Sequence, residues 1–103
     1  MLDIELRPRA QLDLESTYIH VAVVLKSPHA ADNLLERLYE AFERLAEFPD
    51  IEKNLEDSEL SRPYRRFLCG SSWICYTHDE NALTIWRIFH TSQDIDDYTY
   101  LDL

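Results

Sequence analysis

Residues 62–95, RPYRRFLCGSSWICYTHDENALTIWRIFHTSQDI, decide the fold of this chain. Three aromatic and β-branched runs, Tyr64 to Cys69, Ser72 to His78 and Ala82 to His90, alternate with two short turn signals. Gly70-Ser71 and Asp79-Glu80-Asn81 are where turn-permissive residues cluster between them, and this spacing predicts a three-stranded antiparallel meander. Four of the ten basic residues, Arg62, Arg65, Arg66 and Arg87, lie in this stretch. Cationic side chains are therefore concentrated on one part of an otherwise acidic protein.

Toward the N-terminus the pattern changes. Leu2-Asp3-Ile4-Glu5-Leu6 alternates as a short strand does. Pro8 then suits the first turn of a helix, where its missing N–H would be unpaired in any case. The spacing predicts a first helix over about residues 8–25, with Leu12, Ile19 and Val23 as its apolar stripe and Ala22 beside them. Its Ile19 to Leu25 end is rich in β-branched residues, so tertiary packing must hold it. Ser27-Pro28 reads as an N-cap and first-position pair for a second helix running to about Phe48, before Pro49. Ala31, Leu34, Leu35, Leu38, Phe42 and Leu45 form its apolar stripe; Glu36, Arg37, Glu40, Glu43, Arg44 and Glu47 form a solvated face. Residues 50–61 read as a polar, acidic loop with room for one helical turn, and Ile95, Tyr98 and Leu101 fit a short closing turn. The expected class is α+β: an N-terminal β-strand, an antiparallel helix hairpin, then the meander, in one domain spanning residues 1–103.

Composition narrows the function. The chain has 46% hydrophobic residues and one glycine, which supplies material for a single core. Twenty acidic against ten basic residues give a net charge of −10, which opposes adhesion to a polyanion over any broad surface. Cys69 and Cys75 fall inside predicted strands, where free thiols act as small buried hydrophobes; their spacing suits neither a disulfide nor a metal site. No cofactor motif is present, His20, His29 and His78 are scattered, and no apolar run approaches the ~18 residues of a membrane span, so a cytoplasmic protein is expected.

The order of elements, together with RPYRRFL, a tyrosine-containing second strand and WRIFHTSQDI, resembles the ParE/RelE superfamily of bacterial toxins from type II toxin–antitoxin (plasmid stabilisation) modules, closer to ParE. Pro8-Arg9-Ala10, Asp13-Leu14-Glu15, Ser27-Pro28 and Leu45-Ala46-Glu47-Phe48-Pro49 extend the likeness into the helices. Ser92 stands where the family tends to place arginine. The resemblance implies a non-enzymatic inhibitor of DNA gyrase neutralised by a cognate antitoxin. Arg62, Arg65, Arg66, Arg87 and His90 would bind the target, and Trp73, Trp86 and Tyr98 the antitoxin. The antitoxin segment wraps such toxins, and for a partner of charge −10 it should be relatively basic.

Two alternatives stand beside that reading. One is a RelE-like, ribosome-dependent mRNA endonuclease, in which His90 and Tyr76 supply acid–base chemistry while Arg65 and Arg87 stabilise the phosphorane. The other is an inactive module that retains only antitoxin binding. Strand geometry weighs on the first, because neighbouring positions point to opposite faces: Arg87 aligns with Leu83, Ile85 and Phe89, and His90 with Trp86 and Ile88. Arg87 and His90 would then meet only through a bulge. The simpler expectation pairs Arg87 with an acid such as Asp94 or Glu80.

Overall fold

The computed structural model describes residues 1–52 and 62–91. Strand β1 (Asp3–Leu6) leads into helix α1 (Pro8–Ile19), a π-helical turn (His20–Val24), helix α2 (Pro28–Glu47) and a 3₁₀ turn (Pro49–Ile51). The meander follows as β2 (Arg65–Cys69), β3 (Ser72–His78) and β4 (Ala82–His90). The sheet order is β1-β4-β3-β2, with the meander antiparallel and β1 added parallel to β4 from Asp3↔Ala82 to Leu6↔Ile85. The expected α+β architecture is thus present. The predicted turn at residues 95–101, the possible partner Asp94 and Tyr98 lie outside the described residues.

Local chemistry explains the two hairpins. Gly70 has φ +59 in the two-residue loop between Cys69 and Ser72, a left-handed conformation that glycine adopts without steric cost. At the second turn Asp79 Oδ1 accepts the backbone N–H groups of Asn81 and Ala82 at 2.7 and 2.8 Å. Those bonds hold the Asp79 carboxyl below the usual carboxylate range.

The helices cover one face of the sheet. Leu38, Phe42, Leu45 and Ala46 of α2 pack with Ile74, Tyr76, Leu83, Ile85 and Ile88, and Ala10 and Leu14 of α1 complete the core. Full burial of each large side chain contributes about 1.5–3 kcal/mol. The expected α1 stripe is wrong in phase: Leu12, Ile19 and Val23 are exposed, at 60, 56 and 65%. Ala10 and Leu14, one helical repeat of four apart, face inward instead, with Thr17, Tyr18 and Val21 half-buried along the same side. Counting only large apolar residues hid the small alanine at the closest approach.

Helix one also does not run unbroken to Leu25. From His20 the hydrogen bonds widen to a five-residue step, Leu25 N–H donating to His20 O at 3.0 Å. Lys26 then stops the helix with φ 53, while Ser27 N–H reaches back to Val21 O at 3.1 Å. Ser27 does occupy the N-cap position of α2, but its hydroxyl makes no capping bond; its carbonyl accepts from Ala31 N–H at 3.0 Å. Lysine in the left-handed region costs about 1 kcal/mol that glycine avoids, offset in part by the greater freedom of glycine in the unfolded chain. Lys26→Gly is therefore expected to stabilise the protein by about 0.5 kcal/mol, read as a higher urea midpoint with an unchanged m-value.

Candidate functional site

One extra residue in β4 divides the polar side chains between the two faces of the sheet. The β3–β4 register runs Tyr76↔Ile85 and then Cys75↔Arg87, leaving Trp86 as a β-bulge. Leu83 and Ile85 before the bulge and Ile88 after it all enter the helix-facing core. The simple alternation that aligned Arg87 with Leu83 and Ile85, and His90 with Trp86, is corrected accordingly. Arg87 and His90 both follow the bulge at odd separation, so they still point to opposite faces.

The face away from the helices carries arginine stacked on aromatic rings. Arg62 lies 4.3 Å and Arg7 5.3 Å from the Trp86 ring centroid, Arg66 4.4 Å from that of Trp73, and Arg87 4.8 Å from that of Phe89. Tyr64 packs edge-on to Trp86 at 6.0 Å and accepts a 3.1 Å hydrogen bond from Arg62. Trp86 Nε1–H donates to Thr77 Oγ1 at 2.9 Å, fixing its ring. Guanidinium planes suit this role because they stack flat while keeping N–H groups at their rims. Three of the five target-binding candidates, Arg62, Arg66 and Arg87, and both described antitoxin-binding candidates, Trp73 and Trp86, thus share one surface.

Arg87 is anchored more firmly than the others. Asp13 of α1 receives Arg87 Nε and Nη2 at 2.8 and 3.2 Å, and its Oδ2 also accepts the Ile88 backbone N–H at 2.9 Å. β1 ends at Leu6, level with Ile85, so the β4 edge beyond it would otherwise lack a strand partner there. The Asp13 carboxylate supplies that acceptor and neutralises the arginine beside it. The expected pairing of Arg87 with Glu80 is replaced by Asp13, which the topology brings in from 74 residues away.

Arg65 and Tyr76 sit opposite each other on β2 and β3, on the helix side. The Tyr76 hydroxyl donates to Pro49 O at 3.0 Å. Arg65 Nη1 lies 3.1 Å from Asp50 Oδ1 and donates to Glu52 O, while His78 Nε2 is 3.0 Å from the same Asp50 oxygen. Burial pushes the Tyr76 phenol up to about 12, so it stays protonated as a donor. These residues fasten the 3₁₀ turn to the sheet. Sequence reasoning missed Asp50 and His78, whose only signal was their position at the ends of neighbouring elements. His90 lies elsewhere again, lining a cavity with Thr17, His20 and Ser72. The four catalytic candidates, Arg65, Tyr76, Arg87 and His90, are therefore not brought together.

A family model described as the ParE toxin of the type II toxin–antitoxin system parDE matches residues 4–95. The chain belongs to the ParE toxin family. A solved structure of the chromosomal ParDE toxin–antitoxin system from P. aeruginosa superposes with a TM-score of 0.71 at 20% identity, covering 87% of this chain and 96% of that one. At that identity the likeness concerns the fold. No curated protein matches the chain significantly.

Removing the Asp13 side chain leaves a guanidinium and a strand N–H without their acceptor. Asp13→Ala is expected to cost about 3 kcal/mol, whereas Asp13→Asn, which keeps an oxygen for Ile88, costs about half as much; urea unfolding separates the two. The thiols give a second expectation. Cys75 is buried and burial pushes its pKa up to about 12, whereas half-buried Cys69, also raised, donates to Arg37 O at 3.6 Å. A thiol reagent should label Cys69 in the native protein and Cys75 only on unfolding. Because the Cys75 value in the fold lies above the unfolded value of about 8.5, its contribution is complete below that pH and is lost as pH rises toward about 12. Replacing Cys75 with alanine should therefore flatten the alkaline loss of stability over that window.

Proposed function

We propose that this ParE-family chain is the toxin of a type II toxin–antitoxin pair, acting in the cytoplasm on DNA gyrase and neutralised by a cognate antitoxin. The observation that carries the reading is the division of the polar residues described above. Arg87 is held by Asp13, Arg65 and Tyr76 fasten the 3₁₀ turn, and His90 faces a separate cavity. A nuclease needs acid, base and phosphate-binding cations around one reacting phosphorus. A binding surface does not, and the arginine–aromatic layer has the composition that recurs at the centres of protein interfaces.

In this reading Arg62 and Arg66 contact the target, Arg87 shapes the surface around them, and Arg65 and His90, on the helix side of the sheet, act only indirectly. Trp73, Trp86 and Tyr98 contact the antitoxin. The acidity of the chain supports a protein target over a ribosomal RNA surface and a basic antitoxin segment over an acidic one. Among the described residues no helix is long and apolar enough to cross a membrane.

Purified gyrase provides the test. The protein is expected to suppress supercoiling at micromolar concentration, and Arg62→Ala with Arg66→Ala to raise the concentration needed by at least about tenfold while circular dichroism stays unchanged. Full supercoiling in the presence of the folded wild-type protein would rule out gyrase as the target.

A further inference from the structure

Helix α1 is apolar on two sides, and the core takes only one of them. Ala10 and Leu14 enter the core, while Leu12, Ser16 and Ile19, three or four residues apart, run along the opposite side in solvent. The π-helical turn continues that stripe. Its wider hydrogen-bond step advances more than four residues per revolution, so the line through Ile19 passes between Val23 and Val24, and both are as exposed as Ile19. Exposed Tyr39 of α2 and Ile19 both line a groove of about 310 Å³ between the two helices.

Isolated exposed apolar side chains are ordinary, but a contiguous stripe is not. Leu12, Ile19, Val23, Val24 and Tyr39 together expose on the order of 500 Å², the size of the largest patch on a typical monomer. Isoleucine and valine also lower helix propensity, and in solvent no packing offsets that loss. The stripe that periodicity marked as core is therefore a surface suited to a second body.

Charge selects the occupant. Residues 16–31, STYIHVAVVLKSPHAA, include Lys26 as their only formal charge in a chain of net charge −10. The acids nearest the stripe are turned elsewhere: Glu15 accepts from Gln11 at 3.4 Å and lines the groove, Asp13 holds Arg87, and Asp32 accepts the Tyr18 hydroxyl at 2.7 Å. A nucleic acid or an anionic membrane is repelled by the acidity of the whole molecule, and a basic peptide finds no carboxylate within the stripe to pair with. A second copy of the chain meets the opposite condition. Two bodies of charge −10 repel wherever their acids face one another, and along this stripe no acids meet. A two-fold contact would bury the stripe twice, about 1,000 Å² in all, which is the lower limit for a specific interface.

We propose that this chain associates with a second copy of itself through the outer stripe of α1 and the π turn, the two α1 helices crossing at Ser16, whose small side chain lets them approach while Leu12 and Ile19 flank the crossing. The contact lies on the helix layer and leaves the arginine–aromatic surface, on the other face of the sheet, outside it. The inference does not depend on the gyrase reading. A small apolar contact between acidic bodies is weak, with a dissociation constant on the order of 10–100 µM, and it tightens as salt screens the repulsion.

Sedimentation equilibrium of the whole chain from about 1 to about 500 µM, in about 0.05 and about 0.5 M sodium chloride, provides the test. The expected result is a 12.2 kDa monomer giving way to a species of twice that mass, at several-fold lower concentration in the higher salt. Ile19→Glu, which brings two carboxylates to the crossing, should raise the dissociation constant at least about tenfold at unchanged melting temperature; Leu68→Glu, at an exposed site on β2, should leave it unchanged. Should Ile19→Glu unfold, Ser16→Cys in a Cys69→Ser background must join two copies through a short bismaleimide. A monomer across the whole range, association that weakens with salt, an unaltered constant in Ile19→Glu, an equal loss in Leu68→Glu, or no cross-linked pair would overturn the contact. If Ile19→Glu instead abolishes binding to phosphatidylcholine vesicles, or to an antitoxin encoded beside the gene, while self-association persists, the stripe belongs to that occupant and the proposal falls.

Discussion

The bulge at Trp86 is the constraint on which the rest of the molecule turns. A strand that alternated strictly through residues 82–90 would send Leu83 and Ile85 into the core but Ile88 out of it. The inserted residue shifts the phase by one, so that Ile88 joins Leu83 and Ile85 against the helices while Arg87 and Phe89 turn to the other face. The same irregularity delivers the Ile88 N–H and the Arg87 guanidinium together to Asp13. Core packing, the seating of α1 and the make-up of the arginine–aromatic surface all follow from one local insertion.

Polar groups in this fold are arranged as fasteners between distant parts of the chain. Asp13 joins α1 to β4, Tyr18 and Asp32 join the two helices, and Asp50 with Arg65, His78 and Tyr76 joins the end of α2 to the meander. Asp13 and Asp50 each serve more than one donor, which offsets the cost of holding them better than an isolated surface pair would. These fasteners engage Arg65, Tyr76 and Arg87, three of the four residues considered for acid–base and phosphate-binding roles.

Much of this was legible beforehand. The β3 and β4 boundaries, the two hairpin turns and the α2 stripe follow from turn chemistry and periodicity, which act locally and are written in consecutive residues. The phase of α1 was not, because its closest approach uses Ala10, and an alanine announces nothing in a hydropathy pattern. Nor was the π turn, whose wider step shows only in the bond from Leu25 N–H to His20 O. The partner of Arg87 lay beyond sequence logic of nearby acids: a bulge and a parallel strand determine that Asp13 arrives there. Candidate site residues were found as a set, but which of them share a face depended on the same inserted residue.

The pairing of β1 with β4 also orders events in time. Residues 3–6 acquire their hydrogen-bonding neighbours only when residues 82–85 exist, so the sheet stays incomplete until most of the polypeptide has left the ribosome. The last of the described strands is the one that joins β1 to the meander and meets the Asp13 carboxylate. A nascent chain therefore keeps the arginine–aromatic surface unassembled until residues 82–90 have been made, and the face that would meet a partner comes into being with them.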